Sequence, residues 1–115
     1  MANITKNQAR ARAKKERENL QALADQLRER ADEMRSSAEE LRALADEMRE
    51  EADYIEPYEN KDDLTDAQYE RQEWLNDQAE RLEEQADEID NQADETDERA
   101  ENLEGVISEL EEIDY

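Results

Sequence analysis

The sequence predicts an all-α fold, a long antiparallel two-helix coiled-coil hairpin forming a single domain over residues 1–115. Three observations carry this. Apolar residues recur at alternating steps of three and four through both halves of the chain, the pattern of a narrow helical seam. The lone proline, Pro57, falls between the halves. A capping sequence, Thr-x-x-Gln, stands at the start of each half, at Thr5–Gln8 and Thr65–Gln68.

The first helix is expected over about residues 6–56. Its seam runs Ala24, Leu27, Ala31, Met34, Ala38, Leu41, Ala45, Met48, Ala52 and Ile55, with alanine at every a position and a larger residue at every d. The near-repetition of ADQLRERADEM (24–34) by AEELRALADEM (38–48) is this two-heptad unit written twice. Pro57 ends the helix, because its ring clashes with the preceding turn and biases Glu56 toward extended geometry. A loop over about 57–64 follows. The second helix is expected over about 66–113, with Leu64 and Tyr69 placed for a hydrophobic staple. Its seam is Ala79, Leu82, Ala86, Ile89, Ala93, Thr96, Ala100, Leu103, Ile107 and Leu110.

So short a loop makes the helices antiparallel neighbours. The expected layers pair Ala24 with Thr96, Leu27 with Ala93, Ala31 with Ile89, Met34 with Ala86, Ala38 with Leu82, Leu41 with Ala79 and Ala45 with Leu75. Each alanine then faces a larger residue, so the helices approach closely and still fill every layer. On the e flank the same register sets Lys14 opposite Glu104, Arg28 opposite Asp90 and Arg35 opposite Glu83; on the g flank it sets Glu51 opposite Arg71. Exposed pairs of this kind set register more than stability.

Composition narrows the function. The net charge of −22 comes from 37 Asp and Glu against 15 Lys and Arg. Residues 1–17 are basic, so the remainder is more acidic still and repels nucleic acid and anionic membranes while attracting basic protein surfaces. There is no cysteine and no histidine, which removes thiolate and Glu-x-x-His metal sites. The loop YENKDDLTDAQ lacks the spacing of a calcium loop. No apolar run reaches membrane-spanning length, and no signal-peptide stretch opens the chain. A two-helix rod has no cleft in which to desolvate a catalytic carboxylate, so no enzymatic activity, cofactor or metal is expected.

The outward rows are more specific. The b and c positions include Asp25, Asp32, Glu33, Glu39, Glu40, Asp46 and Glu47 on the first helix and Asp87, Glu88, Asp94 and Glu95 on the second. Between residues 18 and 109 the only cation in these rows is Arg81. Exposed helix faces ordinarily alternate Glu with Lys at i,i+4 because like charges there are destabilising. This chain forgoes that, which points to a function for the surface. At 1.5 Å per residue the expected rod carries about one acidic group per 2 Å, against one charge per about 1.7 Å of duplex DNA. In charge and shape it resembles the acidic DNA-mimic inhibitors, often encoded by phages or mobile elements. That resemblance implies a partner with a basic surface, a nucleic-acid-binding protein such as one of host defence.

Two apolar features stand apart. Tyr54, Tyr58, Tyr69 and Trp74 cluster near the loop, either capping the tip or contacting a partner. Leu103, Val106, Ile107, Leu110 and Ile113 form a wider patch at the other end, expected to face mostly Arg17, Ala13, Arg10 and Ala9. Such a stripe marks an interaction site, so a homo-oligomer through the open end of the hairpin, a dimer forming a helical bundle, is expected. Two further readings share this composition. One is a structural rod or assembly component, such as a virion or scaffold protein. The other is a haloadapted coiled coil, which four Lys against eleven Arg would also fit. The expected location is the cytoplasm, or a virus particle if the chain is structural.

Overall fold

The computed structural model describes residues 3–113, which form two helices, α1 (Lys6–Asp53) and α2 (Asp66–Glu111), joined by residues 54–65. Their contacts divide into two compact units. The open-end unit contains α1 up to Glu33 and α2 from Gln92; the loop-end unit spans Met34–Asn91. In both, the helices run antiparallel as a helical hairpin, as the sequence predicts.

Both helix starts are capping boxes. Thr5 Oγ1 accepts from the Gln8 N–H at 3.1 Å and Gln8 Oε1 accepts from the Thr5 N–H at 3.0 Å; Thr65 and Gln68 repeat this at 3.1 and 2.9 Å. Two of the otherwise unpaired first-turn donors are thereby satisfied at each start. Gln68 also donates from Nε2 to the Glu56 carbonyl at 2.8 Å, tying the loop to the first turn of α2. Tyr69, expected in the staple, remains exposed, whereas Leu64 is half-buried.

Helix α1 ends at Asp53, three residues before the expected boundary. Pro57 has no N–H to offer the Asp53 carbonyl, so its influence reaches back a full turn. The last turn tightens, with the Ile55 N–H bonding the Ala52 carbonyl at 3.3 Å, and Gln72 Nε2 donates to the same carbonyl at 3.1 Å. The loop then turns at Tyr58–Lys61, where Asn60 takes φ 68°. Asparagine tolerates this left-handed conformation better than other non-glycine residues.

Alanine makes the core. Ala24, Ala31 and the other seam alanines through Ala100 are completely covered, and Leu75, at 2% exposure, is the most buried large side chain among the described residues. The d residues Leu27, Met34, Leu41, Met48, Leu82, Ile89 and Leu103 are only half-buried. The helices therefore meet along their a rows, with the e residues on one side of the contact and the d residues on the other. Thr96, buried at a d position, satisfies its hydroxyl by donating to the Gln92 carbonyl at 2.8 Å.

The register differs from the expected one. In the open-end unit Glu104 pairs with Arg28, fourteen residues beyond Lys14. In the loop-end unit Asp90 pairs with Arg42 at 2.6 Å and Glu83 with Arg49, each again fourteen residues beyond the expected partner. Glu51 pairs with Arg71 as expected. Side chains lean toward the N terminus of their own helix, so partners on antiparallel helices are offset from the layer they flank. A seam displaced by one heptad reconciles both flanks. It sets Ala31 opposite Thr96 in one unit and Leu41 opposite Ala86 in the other. Alanine still faces a larger residue after this shift.

Candidate functional site

The eleven acidic residues proposed as a binding face, Asp25, Asp32, Glu33, Glu39, Glu40, Asp46, Glu47, Asp87, Glu88, Asp94 and Glu95, are all exposed. Helical spacing puts them there: b and c lie on the side away from the alanine seam. In the loop-end unit Asp87 accepts from Arg42 Nη2 at 2.8 Å and is drawn toward the flank; Asp32, Glu88 and Asp94 also have partners.

The cations nearest to them are held on the e flank. Arg49 makes a two-armed contact with Glu83, its Nη2 donating to Oε2 at 3.0 Å. That hydrogen bond holds the Glu83 carboxyl below its ordinary range, outweighing the opposing effect of partial burial. Arg42 bridges Asp87 and Asp90, and Arg28 binds Glu104. Charge is thus sorted by row, with paired charges along e and unalternated carboxylates along b and c.

The aromatic residues of the loop-end unit do not cap it by burial. Tyr54 is 79% exposed, and Tyr58, Tyr69 and Trp74 are each more than half exposed. Their positions explain it: Tyr54 and Trp74 occupy c positions, and Tyr58 lies in the loop turn.

The apolar end is covered differently from the expectation. Ile107 is only 7% exposed and is a core residue. The heptad shift places it in one groove with Arg17 and Gln21 of α1, and not beside Arg10 and Ala13. Leu103 and Leu110 are half-buried; Val106 and Ile113 are exposed. Sequence reasoning had missed that Leu23 is exposed beside Leu27 and Leu103. The signal was the scarcity of carboxylates on the neighbouring d and g rows, where Glu16 is the one example in that unit among the described residues.

Among the described residues, no group of three or more His, Cys, Asp or Glu side chains is arranged to hold a metal ion, and no helix is long and apolar enough to cross a membrane. No protein-family model, no curated protein and no solved structure matches the chain. Its class therefore rests on its geometry: an all-α helical hairpin with an alanine core and faces sorted by charge.

Proposed function

We propose that this chain is a non-catalytic acidic binding protein whose b and c rows dock on a basic surface of a partner, of the kind that ordinarily holds nucleic acid. The observation that carries the reading is the sorting of charge: eleven exposed carboxylates stand in rows while Arg28, Arg42 and Arg49 are committed to the e flank. In the loop-end unit, residues 34–53 and 66–91 hold 17 acidic against 5 basic residues. Over the roughly 39 Å rise of that α2 segment this is about one net charge per 3 Å, the same order as a duplex. A basic cleft evolved to neutralise phosphates would gain counterion release from either surface. Occupying such a cleft would block or imitate nucleic acid there, without contact between this chain and nucleic acid itself.

The test reverses the outer row. Asp32→Lys, Glu39→Lys and Asp46→Lys together should leave helicity nearly unchanged, because all three face solvent. Proteins from a nucleic-acid-binding fraction captured by the wild type, and released by added duplex DNA, should no longer be captured. Capture of the same proteins by the triple variant would overturn the reading.

A second reading, a structural or assembly component, is favoured by the aromatic residues. Four exposed rings within one unit are an unusual load for a helical surface, and aromatics anchor protein interfaces. Under this reading Tyr54→Ser with Trp74→Ser abolishes partner binding while the triple reversal does not.

A further inference from the structure

On the side opposite the Arg28–Glu104 pair, the d and g rows of the open-end unit are largely apolar, with Glu16 the one carboxylate among the described residues. Leu20, Leu23, Leu27 and Arg30 occupy its d and g rows on α1, and Arg99, Leu103, Val106 and Leu110 occupy them on α2. Leu23 is 49% and Val106 45% exposed, and Leu23, Leu27 and Leu103 line one groove of about 300 Å³ with Gln26 and Arg30. The adjoining c rows carry the neutral amides Asn19, Gln26 and Asn102, all exposed, together with the carboxylates Glu33, Glu95 and Glu109. An apolar centre with a polar rim is the anatomy of a protein interface.

We propose that this strip is the contact through which two copies of the chain associate, back to back, as a local four-helix bundle. Charge selects the occupant. With a net charge of −22, copies repel each other along most faces. Along this strip Glu16 is the one carboxylate on the d and g rows among the described residues, so copies meet here with the least repulsion. The cations are placed to reinforce the meeting. Arg30 and Arg99 make no ion pair among the described residues, and they sit at the rim near the rows of Glu33, Glu95 and Glu109. A two-fold axis through the strip presents the rim arginines of one copy to the acidic rows of the other, the self-complementarity that an isologous dimer requires. A basic partner would instead be drawn to the b and c rows, so this inference stands apart from the reading of those rows.

Sedimentation of the full chain from about 10 µM to about 1 mM, in roughly 0.5 M sodium chloride to screen repulsion, should show a dimer. Leu23→Glu with Val106→Glu replaces two exposed residues, so helicity should be retained while the association weakens by about 100-fold or more. The natural chain has no cysteine, which permits a second readout on a folded protein. A thiol introduced as Leu23→Cys should react with maleimide more slowly as concentration rises, and one introduced as Glu39→Cys should not. A wild-type monomer throughout the range, a dimer that survives the double substitution, or equal maleimide rates at both positions would overturn the proposal.

Discussion

Arg28 of α1 binds Glu104 of α2, while Lys14, fourteen residues earlier and on the same e row, makes no ion pair among the described residues. The pairing reports which layer of the seam faces which. A double-mutant cycle on Arg28→Ala and Glu104→Ala should therefore return favourable coupling, and a cycle on Lys14→Ala and Glu104→Ala none. Coupling in the second cycle and not in the first would restore the earlier register. Because these groups are solvent-exposed, the informative result is presence against absence of coupling, not its size.

The alanine core leads to a second expectation. Ala38 is completely covered, and the displaced seam sets it opposite Ile89. Ala38→Leu forces extra methyl groups between closely approaching helices and should cost about 1–3 kcal/mol in denaturant unfolding. A gain in stability would mean that the a rows are not the line of closest approach.

Gln68 closes the cap of α2 and anchors the loop through the Glu56 carbonyl. Gln68→Ala should destabilise the chain by about 0.5–2 kcal/mol, the range measured for lost caps. Hydrogen exchange should accelerate first at the Thr65 and Tyr69 amides. Acceleration spread evenly along α2 would assign Gln68 a packing role instead.

Acid should act on Glu83 in a defined direction. Its carboxyl lies below its ordinary range because Arg49 donates to the charged form. A depressed folded-state pKa contributes stability that is present above the unfolded-state value and is lost as pH falls through the folded one. Glu83→Gln should therefore lower the Tm at neutral pH, and the difference from wild type should close as pH falls below the ordinary carboxylate range. The overall Tm should move the opposite way between pH 7 and 5, because approaching the pI of about 4.1 relieves the self-repulsion of the acidic body. A difference that widens in acid would contradict the Arg49–Glu83 assignment.

The helices, both capping boxes and the alanine seam were legible in the sequence because each is a local pattern. Thr5–Gln8 and Thr65–Gln68 need only three-residue spacing, and Ala24 through Ala52 need only a heptad. Register was not legible for the same reason. A seam with alanine at every a and a larger residue at d looks alike after a shift of seven, and Glu104 finds an e-row cation in either setting. The division of the d row was also hidden: a heptad wheel treats a and d alike, whereas small a residues bring the helices together on one side and leave Leu27 and Leu103 half-covered on the other. Ile107, an a residue, was consequently read as uncovered when it belongs to the core.

The acidic rows are the centre of the functional account, and salt dependence tests them most directly. For a partner first captured by the wild-type chain, the dissociation constant should be measured at several salt concentrations, with and without duplex DNA. The account predicts that log K falls steeply and linearly with log salt, and that DNA competes fully for the same site. It also predicts that the Asp32, Glu39 and Asp46 reversal reduces the slope together with the affinity. Binding that is insensitive to salt, or that persists beside bound DNA, would contradict it.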